Sequence, residues 1–220
     1  MTEPERAQLK RNNAALFINT TQEMMDSEGM ANLSIRKVAD KTGFHNSTIY
    51  LYFNDFDELL LLASMKHFKE YAHALGELSK KDYCATQLFL LVWEHFCDSC
   101  FKYPDIFYNF FYGKRSNDIE SIMKKYYSIF PDELSTFSPE IESMYFGNNH
   151  SERSFMMLKP LINEDTSVTQ DNVNMINDVI IGHCKYILEQ LCEDESKDCE
   201  HTKAEFIKML KHICGINAAF

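Results

Sequence analysis

Apolar residues recur three or four positions apart along almost the whole chain, and no stretch sustains the alternation of a half-buried β-strand. With only 7 glycines and 5 prolines in 220 residues, the helical segments have few breaks. The periodicity therefore predicts an all-α fold. We expect an N-terminal three-helix helix-turn-helix domain over residues 1–55 and a larger helical domain over residues 56–220.

Glycines and residues that cap helix ends mark the boundaries of the first helices. Ser34 is placed to cap the second helix and Gly43 to end it. Asp55, three residues before Glu58, resembles a capping box at the start of the fourth. Shorter helices with a mobile loop near FGNNHSER are expected later in the chain. The first four predicted helices cover residues 5–27, 35–41, 46–53 and about 55–78.

Charge and hydropathy argue against two classes of protein. No apolar run approaches the roughly 18 residues that cross a bilayer, and the segment MTEPERAQLKRNN has no apolar signal region. We therefore expect a cytoplasmic protein with no membrane contact. The formal net charge of −11 argues against a protein that coats nucleic acid over its whole surface. A narrow DNA contact is compatible with that charge.

The two short helices around Gly43 have the pattern of a helix-turn-helix, whose second helix enters the major groove of DNA. Val38 and Ala39 are expected to face inward from the first of them, and Ile49 from the second. The other side chains of the second helix are short hydrogen-bonding groups, a leucine and long phenols, which suit base edges and phosphate oxygens. They are Asn46, Ser47, Thr48, Tyr50, Leu51 and Tyr52.

The segment LSIRKVADKTGFHNSTIYLYFNDFDELL resembles the N-terminal domain of the TetR family of transcriptional regulators. An Ala-x-x-x-Gly turn is followed at fixed spacing by Thr-Ile-Tyr-x-Tyr-Phe and a capped, leucine-rich helix. The resemblance covers about the first 60 residues. It implies that Tyr50 binds phosphate and that Leu51 faces the groove. The DNA-binding residues that it implies are Arg36, Asn46, Ser47, Thr48, Tyr50, Leu51 and Tyr52.

Two positions depart from the pattern of the family. Ser47 stands where the family commonly has glycine, which changes the fit against the groove. Phe56 stands where a lysine is common, so that one expected phosphate contact is lost. Fewer phosphate contacts lower the sequence-independent part of DNA affinity.

The segment from Phe89 to Tyr112 is unusually aromatic, and methionines follow it. These side chains form either an ordinary core of large residues or the walls of an adaptable apolar pocket. The resemblance implies a small-molecule effector site in this region, for an apolar or aromatic effector. The candidate ligand-binding residues are Trp93, Phe96, Phe107, Phe111 and Tyr127.

The cysteines and histidines do not form a recognisable metal or catalytic motif. His95, Cys97 and Cys100 read H-x-C-x-x-C, but at about 100° per residue His95 points nearly opposite to the two thiols. Cys97 and Cys100 could sense oxidants, whereas buried, inert thiols are the alternative. No catalytic signature occurs, so we expect no enzyme activity, no metal and no cofactor.

The last two predicted helices, over residues 169–192 and 203–216, carry long apolar stripes, and Gly182 would allow another helix to approach closely. Packing within the chain could explain the stripes. The resemblance implies instead that this helix pair forms a homodimer. The stripes comprise Val173, Ile176, Ile180, Cys184, Ile187 and Leu191 on the first helix, and Phe206, Leu210 and Ile213 on the second.

Together these features favour a ligand-responsive transcriptional regulator, most simply a repressor. It would bind a pseudo-palindromic DNA operator as a homodimer, through residues 33–53. The alternative is a helical small-molecule-binding or protein-interaction module with weak or lost DNA binding. Phe56 and the acidic N-terminal domain favour that alternative.

Overall fold

Helices make up the regular structure of the protein. The computed structural model describes residues 2–194 and 196–216, and that part of the chain contains no strand, which confirms the predicted all-α fold. Within the described residues, no helix has the length and apolar character needed to span a membrane. The α-helices are α1 (Glu3–Glu28), α2 (Ile35–Thr42), α3 (Asn46–Ile49), α4 (Phe56–Ser64), α5 (Lys69–Leu78), α6 (Ala85–Cys100), α7 (Pro104–Tyr112), α8 (Ile119–Ile129), α9 (Pro139–Tyr145), α10 (His150–Leu158), α11 (Val173–Glu193) and α12 (Cys199–Cys214).

The chain folds into two compact units. Unit 1 consists of Met1–His67 with Ser121–Leu134, and unit 2 consists of Phe68–Glu120 with Ser135–Phe220. Unit 1 contains the helix-turn-helix, and unit 2 contains the aromatic segment and the last two helices. The functional boundary at residue 55 stays a prediction, because these units are defined by packing and not by function.

Local capping builds the corner between α2 and α3. The hydroxyl of Ser34 accepts a hydrogen bond from the amide of Lys37 at 3.3 Å, as predicted for an N-cap. Gly43 ends α2 with a φ of 74°, a left-handed conformation that a side chain would strain. Phe44 then packs edge-on against Phe17 of α1, with ring centroids 5.1 Å apart. The corner is thereby fixed against α1.

Helix α3, which was predicted as the recognition helix, is shorter than expected and ends at Ile49 instead of Phe53. The amides of Leu51 and Tyr52 bond to carbonyl groups three residues back, so the chain tightens into a turn. Ile49 and Phe53 are both buried at the two ends of this turn. Their packing, which the local helix pattern does not specify, sets the path of residues 50–52. Helix α3 and these three residues together are called the recognition turn, residues 46–52.

The fourth helix is also shorter than predicted. It ends at Ser64, and a 3-10 turn, Met65–Phe68, separates α4 from α5. Within this turn the buried side chain of His67 lies 2.8 Å from the carboxylate of Asp26 in α1. The tighter turn places His67 against Asp26, a contact that the leucine-rich pattern of α4 could not predict.

A buried carboxylate joins three parts of unit 1. The side chain of Glu58 is almost fully buried, and its Oε1 lies 2.8 Å from Nζ of Lys125 in α8. Its Oε2 accepts a hydrogen bond from the amide of Asn54 at 2.5 Å. Lys125 also donates to the carbonyl oxygen of Tyr52 at 2.9 Å. One lysine therefore connects α8 both to the end of the recognition turn and to the start of α4.

Replacing Glu58 with alanine should lower the free energy of unfolding by about 2–3 kcal/mol, because Lys125 and the amide of Asn54 both lose their partner. Lys125 is one-third exposed, so water compensates for part of the loss. Glu205→Ala is the matched control, since its ion pair with Lys208 lies in solvent and should contribute below about 1 kcal/mol. Urea unfolding followed by circular dichroism measures both values, and equal values would contradict the role of Glu58.

Candidate nucleic-acid interface and effector cavity

The residues predicted to contact DNA surround the buried side chain of Ile49. Tyr50 and Leu51 are 54% and 72% exposed, although both are large and partly apolar. Such exposure leaves both side chains accessible at the end of the recognition turn. The other predicted contact residues on α2 and α3 are exposed or half-buried: Arg36, Asn46, Ser47 and Thr48.

Tyr52 is held differently from Tyr50. Its ring packs on Phe17, with centroids 5.4 Å apart, and its hydroxyl oxygen accepts a hydrogen bond from the side-chain amide of Asn13 at 2.9 Å. The phenol keeps its own hydrogen, which it can still donate to a phosphate oxygen. Asn13 therefore orients Tyr52, a role that sequence reasoning missed because the two residues lie 39 positions apart.

His45 is a second residue that sequence reasoning missed. It is the N-cap of α3, and its Nδ1 lies 3.3 Å from the amide of Ser47 and 2.8 Å from the hydroxyl of Ser47. The imidazole thus fixes the rotamer of Ser47, the residue that departs from the glycine of the family. Its position directly before the predicted start of α3 is the sequence signal that could have identified it as the N-cap.

The positive charge beside the recognition turn is partly neutralised. Lys37 donates to the carboxylate of Glu28 at 2.8 Å, and the pKa of Glu28 is lowered, chiefly by this hydrogen bond. Arg36 lies 3.9 Å from Asp40, with both side chains mostly in solvent, so this pair holds the arginine only weakly. Arg36 is therefore freer than Lys37 to meet a phosphate.

A small cavity lies in unit 2, and its apolar lining consists of Tyr71, Val92, Trp93, Phe96, Met144 and Met157. Its volume is about 20 Å³, which is room for about one water molecule. Trp93 and Phe96 were predicted ligand-binding residues. Phe107 and Phe111 lie behind Phe96, with ring centroids 5.9 and 5.5 Å from it. The structure therefore brings these four rings together.

Tyr127, the fifth predicted ligand-binding residue, is placed elsewhere. It belongs to unit 1, where its ring packs edge-on against Tyr126 at 5.3 Å. Tyr127 was assigned as a ligand contact because its segment is rich in aromatic residues. The number of aromatic residues in a helix does not specify the unit to which that helix belongs. The role of all five residues in ligand binding stays a prediction.

The polar side of the cavity comes from α10. His150, Arg153 and Ser154 line it, and each is at least nine-tenths buried. The predicted loop near FGNNHSER ends at Asn149, because the Asn149 side chain accepts from the amide of Glu152 at 2.9 Å and starts α10. Sequence reasoning missed these residues, although their spacing of three and four places them on one helix face.

His150 is neutral in this environment. Its Nδ1 lies 2.7 Å from the hydroxyl of Tyr112, and its ring lies tilted against the ring of Phe111, with centroids 4.5 Å apart. Burial, and next the positive charge of Arg153, lowers the pKa of His150 from 6.5 to about 3. Burial also raises the pKa of Tyr71, another residue that lines the cavity, to about 12. Both side chains therefore remain uncharged around pH 7.

Arg153 is the charged group of the cavity wall. Its Nη1 donates to the carbonyl oxygen of Tyr145, and its guanidinium lies 5.3 Å from the ring centroid of Phe111 and 5.4 Å from that of Tyr145. Contact with aromatic faces helps to stabilise a cation that has left water. The cavity therefore combines aromatic rings with a fixed positive charge.

The thiols of unit 2 lie in its interior. Cys97, Cys100 and Cys184 are fully buried. Burial raises the pKa of Cys100 well above its ordinary value, and it also raises the pKa of Cys184. A thiol that solvent cannot reach reacts slowly, so the structure favours the inert alternative for Cys97 and Cys100.

The apolar stripes of α11 and α12 pack within the chain. Every member of the predicted α11 stripe is buried, as are Phe206 and Leu210 of α12. A second apolar face of α11 lies in solvent, where Met175, Val179 and Tyr186 are 63%, 48% and 56% exposed. Gly182 lies between them, and a Cβ there would meet no atom within 4 Å. At about 100° per residue, these four positions span about 60° of the helix surface.

The neutral His150 makes stability depend on pH. Between pH 6.5 and about 3, the unfolded chain binds a proton that the folded chain does not bind, so stability falls as pH falls through this window. The loss from this residue should approach about 1.4 kcal/mol per pH unit. Urea unfolding followed by Trp93 fluorescence at pH 7, 5.5 and 4.5 should show a steeper loss for the wild type than for His150→Gln. Parallel losses would contradict a buried, neutral His150.

Three solved structures match this chain in part, and the first of them has a similar fold. The crystal structure of RolR in complex with its ligand resorcinol has a TM-score of 0.61 at 15% identity, over 96% of this chain and 92% of that chain. BioQ with its natural double-stranded DNA operator has a TM-score of 0.48 at 12% identity, over 90% and 98% of the two chains. PfmR, a TetR family transcriptional regulator from Thermus thermophilus, has a TM-score of 0.47 at 12% identity, over 88% and 96%. No curated protein sequence matches this chain.

The helix-turn-helix also matches a family in sequence. Residues 17–63 match the family described as bacterial regulatory proteins, tetR family. The match begins at Phe17, the ring on which Phe44 and Tyr52 pack, and it includes the recognition turn and α4 as far as Ala63. Over residues 17–63, which are less than half of the chain, the N-terminal domain is therefore similar to the tetR family of bacterial regulatory proteins.

Proposed function

We propose that the protein is a homodimeric, ligand-responsive transcriptional regulator that represses genes by binding a pseudo-palindromic operator. The observation that carries this proposal is the exposed Tyr50 and Leu51 at the end of the recognition turn, within the segment that matches the family. Large side chains that lie in solvent beside a buried anchor are available to a partner. A cytoplasmic location and a boundary at residue 55 belong to the same proposal.

Two kinds of DNA contact follow from the geometry of the turn. Tyr50, Tyr52 and Arg36 are donors suited to phosphate oxygens, and such contacts fix the position of the protein on the duplex. Asn46, Ser47 and Thr48 begin the recognition helix, where their side chains can meet base edges, and Leu51 can touch a thymine methyl. The first group supplies affinity and the second supplies sequence preference.

A second candidate function rests on the charge beside this turn. Lys37 is already bound to Glu28, and the half-buried Phe56 stands where a phosphate-binding lysine is common. Fewer free cations favour a helical small-molecule-binding or protein-interaction module with weak DNA binding. A DNA-binding measurement decides between the two candidates.

The exposed face of α11 is the surface that we assign to the homodimer. Its apolar side chains flank Gly182, so a second helix can approach the backbone closely at that position. A face of this kind is self-complementary when two copies meet across a dyad. Two recognition turns related by that dyad would meet half-sites about one DNA turn, or a multiple of it, apart.

Ligand control is assigned to unit 2. A small effector in the aromatic cavity would favour one dimer geometry, and recognition turns that no longer match the spacing of the half-sites would release DNA. RolR, which has a similar fold, was crystallised with the small aromatic molecule resorcinol. The aromatic rings of Trp93 and Phe96, which line the cavity, support a small aromatic effector for this protein as well.

Tyr50→Phe should weaken binding about fivefold on all operator sequences, because it removes one hydrogen bond to a phosphate. Asn46→Ala should instead change which sequences are preferred. Selection of bound sequences from random DNA, followed by mobility-shift titration, measures both effects, with Tyr83→Phe in unit 2 as the control. Absence of salt-sensitive, sequence-specific binding by the wild type would contradict the proposed function and leave the second candidate.

Val179→Glu should convert the dimer into a monomer, because it places a charge in the centre of the exposed apolar face of α11. Asn174→Glu adds the same charge at an exposed position of α11 outside that face and should leave the dimer intact. Sedimentation velocity at several protein concentrations distinguishes the two states. A monomeric wild type, or a dimer that tolerates Val179→Glu, would disprove the assigned surface.

A further inference from the structure

The cavity of unit 2 is asymmetric in its chemistry. Trp93 and Phe96 form an aromatic wall, and α10 supplies a polar wall. Along α10, the lining residues His150, Arg153, Ser154 and Met157 follow the spacing i, i+3, i+4 and i+7, which is one face of a helix. An occupant therefore meets both aromatic rings and polar groups.

The polar wall offers strong hydrogen-bond donors. The guanidinium of Arg153 has five N–H donors and no acceptor. The hydroxyl of Ser154 is buried, and within the described residues it has no hydrogen-bond partner. The hydroxyl of Tyr71 points at the sulfur of Met144 at 3.9 Å, which is a weak acceptor. Hydroxyl donors that lack a good acceptor, next to a fixed positive charge, are complementary to an anionic oxygen group.

The cavity needs additional room to hold a ring, since its present volume of about 20 Å³ accommodates only about one water molecule. A larger groove of about 780 Å³ lies next to it, and Met157 lines both spaces. Methionine is unbranched and changes rotamer at low cost. Movement of Met157 would join the cavity to the groove and open a route to solvent.

We propose that the effector is a small aromatic acid, whose ring lies against Trp93 and Phe96 and whose carboxylate binds Arg153 and Ser154. The ring takes the space that Met157 vacates, and the ligand enters through the groove. This inference rests on the proposed function only in calling the ligand an effector. The binding site and its preference for an acid are independent of DNA binding.

Trp93 provides a direct measurement, because it is the only tryptophan of the chain and it lines the cavity. Benzoate and 2-naphthoate are titrated into the full-length protein at pH 7, each against its neutral amide of nearly the same shape. The acids should change Trp93 fluorescence and bind about ten- to hundredfold more tightly than the amides, the range typical of a charge-assisted hydrogen bond. Equal or tighter binding of the amides would overturn the proposal, and so would no binding of either acid.

Variants locate the acid within the cavity. Ser154→Ala should weaken acid binding about three- to tenfold, because it removes one donor, and should leave amide binding nearly unchanged. Ser151→Ala, on the same helix but outside the cavity, is the matched control. Arg153→Met should abolish the preference for acids, with circular dichroism used to confirm that the variant folds. If Ser154→Ala and Ser151→Ala bind the acid equally well, the assigned carboxylate position is wrong.

The two proposals fail in different ways. A protein that binds benzoate at Trp93 but shows no sequence-specific mobility shift would disprove the DNA-binding function and support the acid site. A protein that binds its operator and is released by neutral aromatics, but not by acids, would support the regulator and disprove the ligand class. Release of the operator by benzoate, and not by benzamide, would support both.

Discussion

The buried carboxylate of Glu58 determines how the recognition turn is presented. A four-residue helix has little stability of its own, because nucleating a helix costs more than one turn of hydrogen bonds returns. Lys125 binds both Glu58 and the carbonyl oxygen of Tyr52, so α8 holds the end of the turn from outside the helix-turn-helix. Phe17 holds the turn from α1, through its contacts with Phe44 and Tyr52. The exposed position of Tyr50 and Leu51 is therefore a consequence of contacts made by their buried neighbours.

Local signals in the sequence predicted the beginning of unit 1 well and its long-range contacts poorly. The caps at Ser34 and Asp55 and the left-handed Gly43 depend on residues within four positions, so the pattern contains all the information they need. Lys125 lies 67 positions from Glu58, and no spacing rule connects them. The same limit explains why α3 and the fourth helix were predicted too long. These two helices end where Phe53 and His67 pack against other parts of the chain, and the helix propensity of the local sequence does not predict those ends.

In unit 2 the sequence predicted which residue types matter, but not which face of each helix they occupy. α11 is apolar on two faces, and hydrophobic periodicity alone cannot tell the face that packs within the chain from the face that lies in solvent. Four of the five predicted ligand-binding rings do lie together, because neighbouring residues of α6 and α7 carry them. His150, Arg153 and Ser154 were overlooked because a polar helix start resembles a loop when its buried side is unknown.

The polar face of α10 lowers the stability of the folded protein. This loss of stability indicates that the face serves binding rather than folding. Arg153 is buried away from water, and the pKa of His150 is held far below its ordinary value, so that this side chain stays neutral. The buried hydroxyl of Ser154 has no hydrogen-bond partner in the described part of the chain. Apolar side chains of similar volume would fill the same space and would commonly be as stable or more stable. A core built for stability alone therefore does not require these residues at i, i+3 and i+4. A core that must recognise an anionic group beside aromatic rings requires a fixed cation and a free donor on one helix face. The groups that lower the stability of the fold would then be the ones that bind the ligand.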